Sequence, residues 1–391
     1  MAGPHASLEW LPRLEDLGDL DGRRVLVRTD FNVPLERDDA GRYVVADDFR
    51  IRTAVPTLEA LKALGATVVC CSHLGRPTGP EDGACQMDPV RLALEELCPG
   101  VELLDNLRFE PGEKANDPAF VDRLVEGFDA YVNEAFGASH RAHASIVGPP
   151  SRLPSAAGLR LALEVEILTG LLAEPARPYV AVLGGAKVAD KLGVVASLAK
   201  VADSVLVGGA LAFTFLASTG RAVGASLVDP NRIEDCRSLL DSATTIELPS
   251  DVLALSPGAA FGRGATDGEV ASFDGDLPDG WRGLDIGEAS AEAFASRLAS
   301  AATIMWNGPM GAFEDQRFAG GTRAVASAAA SSSAFSVVGG GDSARALAEC
   351  GWASQVSFVS TGGGASLEFL EHGDLPGLDA LRHAPNSGGQ R

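Results

Sequence analysis

At 391 residues the chain is long enough for two domains, and a composition of 46% apolar and 22% charged residues excludes a largely disordered polymer. Thirty-two basic residues against 53 acidic ones give a net charge of −21, which excludes nucleic acid or an anionic membrane as the partner of the general surface. Any anion site must therefore be local. Only five of the 32 basic residues are lysines, and an acidic, lysine-poor surface predicts a salt-adapted protein. Six cysteines without a C-x-x-C pair read as reduced, mostly buried thiols. Residues 1–10 carry no basic segment followed by an apolar core, and no run of about 18 apolar residues occurs, so a soluble, cytoplasmic chain is expected.

In chain order, apolar runs at 25–27, 67–71 and 130–132 predict strands, and the stretches 52–64 and 89–97 between them have helical periodicity. A turn-rich segment, Gly148-Pro149-Pro150-Ser151 with Pro154, then leads into a predicted helix over 159–168 that suits an interdomain link. Further strands are predicted at 179–183, 204–207, 303–305, 336–338 and 356–359, with 256–283 as a weakly patterned excursion. The alternation is that of βαβ units, so the expected fold class is α/β with two doubly wound parallel sheets.

Open parallel sheets bind ligands beyond the carboxyl ends of their strands, which directs attention to the residues following each run. In the first half these are Arg28-Thr29-Asp30-Phe31-Asn32, Ser72-His73-Leu74-Gly75-Arg76, Asn106-Leu107-Arg108 and Gly137-Ala138-Ser139-His140-Arg141-Ala142-His143; with Arg50 they form a candidate basic cup. Converging arginines repel one another unless an anion neutralises them, and the guanidinium fork matches phosphate or carboxylate. The alternative for each arginine alone is a helix cap or a surface ion pair. His140 and His143 lack a third metal ligand nearby and read as structural.

In the second half the corresponding positions are glycines: Gly184-Gly185-Ala186-Lys187, Gly208-Gly209-Ala210, Gly339-Gly340-Gly341-Asp342-Ser343 and Thr361-Gly362-Gly363-Gly364. Glycine lets backbone approach a phosphate, and a following helix N-terminus offers free N–H groups. Lys187 and Lys191, four apart, are expected on one face of the helix leaving the glycine turn. Asp342 is a candidate Mg²⁺ ligand, with a helix N-cap as its alternative role. No G-x-x-x-x-G-K-[ST] loop is present, and the loose dinucleotide pattern Gly339-x-Gly341-x-x-Ala344 lacks an acidic residue ending the next strand, so a NAD-dependent dehydrogenase ranks second. A non-enzymatic two-lobed anion-binding protein is the reading from a different class.

Seven segments, in order, closely resemble phosphoglycerate kinase: Val27-Arg28-Thr29-Asp30-Phe31-Asn32-Val33-Pro34, Ser72-His73-Leu74-Gly75-Arg76-Pro77, Asn106-Leu107-Arg108-Phe109, residues 135–143, residues 184–191, Trp306-Asn307-Gly308-Pro309 and residues 339–343. The resemblance implies two Rossmann-like lobes joined by a hinge helix. Residues 1–158, with a tail of about 373–391 packing back on them, would bind 3-phosphoglycerate, and 159–372 would bind Mg-ATP or Mg-ADP. On matching positions Asp30, Phe31, Asn32, Arg50, His73, Leu74, Gly75, Arg76, Arg108 and Arg141 would hold phosphoglycerate. Lys187, Lys191, Gly209, Asn307, Glu314, Gly340, Gly341, Asp342 and Ser343 would serve the nucleotide, with Glu314 near the ribose and Asp342 toward the metal. Arg50, Lys187 and Lys191 are the catalytic candidates, brought together by hinge closure. Ala210, Ser343 and Asp105 stand where the family usually has glycine, threonine and glutamate. The reaction implied is reversible phosphoryl transfer in glycolysis and gluconeogenesis, by a monomer.

Overall fold

A computed structural model describes residues 11–242 and 245–385; the absent leader read at residues 1–10 and the end of the tail lie outside them. The chain forms two compact units, one running to Thr169 and taking in the segment from His372 onward, the other Gly170–Glu371. The division falls inside the helix Leu159–Ala173, which extends the predicted 159–168.

The first unit is built on β1 (Arg24–Arg28), a hairpin of β2 (Leu35–Arg37) and β3 (Tyr43–Val45), β4 (Thr67–Cys71), β5 (Glu102–Leu103), β6 (Ala130–Asn133) and β7 (Ser155–Ala157). Its parallel sheet has the order β5-β4-β1-β6-β7. The chain winds outward from β1 through β4 to β5, then returns to β6 on the other side, so the switch point lies between β1 and β6. Strands covered on both faces read as unbroken apolar runs, and for this reason β1, β4 and β6 are legible in the sequence. Val25, Val27, Val68 and Cys70 pack on Ile51, Ala54, Leu58 and Leu61 of the helix Phe49–Ala63. That helix starts three residues before the predicted 52, which puts Arg50 in its first turn. The segment read as turn-rich linker ends in β7, whose three buried residues pair with β6.

The second unit contains β8 (Tyr179–Leu183), β9 (Ser204–Val207), β10 (Ile246–Glu247), β11 (Val252–Leu255), β12 (Val270–Phe273), β13 (Arg282–Ile286), β14 (Thr303–Asn307), β15 (Phe335–Gly339) and β16 (Phe358–Val359). The parallel sheet runs β10-β9-β8-β14-β15-β16, with its switch point between β8 and β14. The excursion at 256–283 belongs to a separate antiparallel sheet, β12-β11-β13. In the first unit the helix Pro376–Arg382 docks through Gly377, whose N–H donates to Ser139 O at 2.8 Å, and it buries Leu378 and Leu381. Among the described residues no helix is long and apolar enough to cross a membrane, and all six cysteines are free thiols.

Candidate active site

In the first unit the switch point collects cations around one buried carboxylate. Asp30, just past β1, forms an ion pair with Arg50. Burial by itself would raise the Asp30 carboxyl, but the guanidinium of Arg50, with Arg28 behind it, holds it below its usual range. Asn32 accepts the Gly75 N–H at 2.8 Å, and Arg108 donates to Gly75 O at 2.5 Å, so the loops after β1, β4 and β5 are tied together. Arg108 is made less basic by burial and by the like charges of Arg141, Arg28 and Arg76, and its Nε is buried without a partner. His73 is buried beside Arg28, and burial with that charge pushes its pKa down to about 3. His143 falls to about 4 through burial and the charges of Arg108 and Arg141. Both rings are neutral at pH 7.

The structure brings Asp30, Asn32, Arg50, His73, Gly75 and Arg108 into direct or one-step contact, with Arg76 and Arg141 on the exposed rim. Phe31 and Leu74 have side chains in the core, which leaves their backbone for the site. Asp105 is spent on an ion pair with Arg91 at 2.5 Å. Arg28, with only 1% of its surface exposed, received no individual role from the sequence; a buried cation ending an apolar strand is the signal that marks it.

In the second unit the ends of β8 and β14 meet. The Lys191 ammonium is buried and donates to Gly184 O and, at 3.0 Å, to Asn307 Oδ1. Burial lowers its pKa to about 8, against the raising effect of Asp342 and Asp190. Gly308 has φ +93°, and a Cβ there would stand 2.3 Å from Gly184 O and 2.5 Å from Lys191 Nζ, so only glycine closes this corner. Gly209 has φ +62° and its Cβ would lie 2.5 Å from Gly185 N, which brings the start of the helix Gly209–Ser218 against the same corner. Asn307 Nδ2 is buried without a partner.

Two local expectations are corrected. Lys187 and Lys191 do not share a helical face: the helix begins only at Leu192, and the preceding turn sends Lys187 into solvent, 83% exposed, 3.8 Å from Asp190. Lys191 turns inward because buried carbonyl oxygens need a donor and an ammonium in an apolar corner needs acceptors. Asp342 is not an N-cap; Gly340 occupies that position, and Asp342 stands one residue inside the helix Gly341–Glu349, 63% exposed, 3.7 Å from Arg345. Ser343 is buried and accepts the Gly308 N–H at 2.7 Å, so its hydroxyl shapes the corner. Glu314 lies on the exposed side of the loop after β14, and Ala210 is half-buried near the start of its helix. No group of three or more metal-ligating side chains occurs among the described residues.

The profile of the family described as Phosphoglycerate kinase matches residues 14–103 and 99–373. The chain belongs to the phosphoglycerate kinase family. It is 49% identical over 387 residues to the phosphoglycerate kinase of Rubrobacter xylanophilus, covering 93% of this chain and 96% of that one. It is 48% identical over 404 residues to that of Frankia casuarinae, covering 94% and 99%. The solved structure of phosphoglycerate kinase from Coxiella burnetii matches with a TM-score of 0.82 at 33% identity, covering 95% of this chain and 98% of the other. That from Pyrococcus horikoshii matches with 0.80 at 29% identity, covering 95% and 99%. The two parallel sheets are those of the phosphoglycerate kinase fold, and the chain is a phosphotransferase with a carboxyl group as acceptor, acting in glycolysis. The dehydrogenase and binding-protein readings are thereby excluded. Phosphoglycerate kinases act on 3-phosphoglycerate and ATP or ADP and use the nucleotide with Mg²⁺.

Proposed function

We propose that the cup of the first unit takes 3-phosphoglycerate, on Asp30, Asn32, Arg50, His73, Arg76, Arg108 and Arg141 with the backbone of Phe31, Leu74 and Gly75. The glycine-lined corner of the second unit takes the nucleotide, on Lys187, Lys191, Gly209, Asn307, Glu314, Gly340, Gly341, Asp342 and Ser343. The observation that carries this reading is the crowding of three arginines, Arg28, Arg76 and Arg141, about Arg108, whose lowered basicity expresses a local excess of positive charge that a polyanion relieves. The unpartnered Asn307 Nδ2 supplies a donor for the nucleotide side.

The acceptor carboxylate is ionised at neutral pH, so the reaction needs no general base. What the protein supplies is alignment and neutralisation of charge on the moving phosphoryl group, for which Arg50, Lys187 and Lys191 are the candidates. Asp342, an exposed carboxylate whose nearest cation is 3.7 Å away, fits a hard oxygen ligand for magnesium. When bound, magnesium draws charge off the phosphate oxygens. Asp342→Asn is expected to weaken Mg-ADP binding about tenfold or more, with phosphoglycerate affinity unchanged. Calorimetric titration of the full chain checks this, and equal Mg-ADP affinity in variant and wild type would remove the aspartate from the metal site.

The chain acts, on this reading, as a cytoplasmic monomer with a salt-adapted surface. An excess of 53 acids over 32 bases repels itself at low ionic strength. Screening at about 1 M salt shortens the Debye length to about 3 Å, so the melting temperature should rise with KCl while attraction of the cup for its anionic substrate weakens. Melts and phosphoglycerate KM, measured in parallel from low to molar KCl, should both increase; a flat or falling melting temperature would show that the acidic surface is no adaptation to salt.

A further inference from the structure

A buried carboxylate lies beneath the arginines of the cup, and the reaction does not use it. Glu113, in the short helix Pro111–Ala115, has no exposed surface. Its two oxygens accept the N–H of Ser145 at 2.9 Å and the Ser145 hydroxyl at 2.7 Å, and Nδ1 of His143 stands 3.7 Å away. The same Ser145 Oγ accepts Arg28 Nε at 2.8 Å, and Arg28 Nη2 is 3.1 Å from His73 Nδ1. Tyr131 O–H donates to Ser145 O at 2.8 Å and steadies the residue from the other side.

The chain of contacts has one direction. A hydroxyl has a single proton, and with that proton committed to Glu113 only lone pairs are left to face Arg28. A guanidinium has donors only, so His73 Nδ1 must accept, and the ring proton resides on Nε2. We propose that Glu113 is a positioning residue which, through Ser145 and Arg28, holds His73 as the tautomer donating from Nε2 into the cup. The functional part of this inference rests on the cup being the phosphoglycerate site. A neutral ring at this place gives a directed hydrogen bond to the substrate without adding a further charge to the arginines.

Positioning and simple charge balance predict opposite results. If Glu113 served only as a counter-charge, its removal would raise the positive potential of the cup and lower the phosphoglycerate KM. If it positions, KM rises. The test uses Glu113→Gln and Ser145→Ala in the full chain, with ¹⁵N NMR of the imidazole nitrogens; the His73 signals are assigned by their loss in His73→Gln. Wild type should show His73 protonated at Nε2, and both variants a mixture of tautomers. Phosphoglycerate KM should rise about tenfold, with kcat and Mg-ATP KM within about twofold of wild type, and the double variant should be no worse than the worse single one. A wild-type ring protonated at Nδ1 overturns the proposal without any variant having to fold. Unaltered tautomers in folded variants, or a falling KM, overturn it as well. A tautomer shift with unchanged KM would support the relay and count against phosphoglycerate binding on this cup.

Discussion

Arg50→Ala should lower kcat by about a thousandfold while phosphoglycerate KM rises by less than about tenfold. Arg50 sits in the first turn of the helix Phe49–Ala63, and its guanidinium is anchored by Asp30 with 30% of its side chain exposed. The pairing orders the side chain before substrate arrives, which reduces the entropy to be lost in the transition state. A group that meets charge chiefly as the phosphoryl group moves acts on kcat, whereas one that meets substrate and transition state equally acts on KM. Arg50→Lys retains the charge but loses the planar fork, so it should recover only part of the rate. Steady-state kinetics of the two variants checks the assignment; a raised KM at unchanged kcat would reduce Arg50 to a substrate anchor.

Lys191→Met should be nearly as damaging to turnover, with kcat down by about 10²- to 10³-fold, and it should also alter how stability depends on pH. In the folded chain Lys191 has a pKa of about 8, below the ordinary 10.5, because burial disfavours its charged form. Between those two values the unfolded chain binds the proton that the folded chain has released, so stability rises with pH across the window. The charged form below about pH 8 therefore carries a cost on the order of 3 kcal/mol, which lysine removal abolishes along with the pH dependence. Denaturant melts of both proteins at pH 7.5 and pH 10 should show wild type gaining on the variant at the higher pH. Parallel stability in the two would show that the ammonium is not desolvated.

Lys187 and Lys191 illustrate how far the sequence reaches. Their spacing and their rarity in a chain with five lysines single them out, yet one is solvated and the other buried, because the turn before Leu192 is set by contacts with Gly184 and Asn307 across the sheet. Asp342 is similar: the glycine run before it is visible, but its placement inside the helix follows from Gly340 taking the cap. The residues of the proposed cup were legible mostly because they lie in the loops after apolar runs, Arg50 in the first turn of a helix being the exception. Asp30 was legible with them, but the buried Glu113 was not.

The sequence by itself determined the α/β class and both parallel sheets, and it marked the two loop clusters proposed as anion sites. Parallel strands covered on both faces must be continuous apolar runs, and ligand-facing residues must follow them, so these features are written in local order. Edge strands such as β5 and β10, two residues each, are too short to show a period. Only the tertiary structure decided that Glu113 meets Ser145 across 32 positions of chain, and that Glu134 accepts the Thr57 hydroxyl across 77 while burial pushes its pKa up to about 8. A buried carboxylate is defined by the distant donors that surround it, and no local pattern records which donors the fold will bring there.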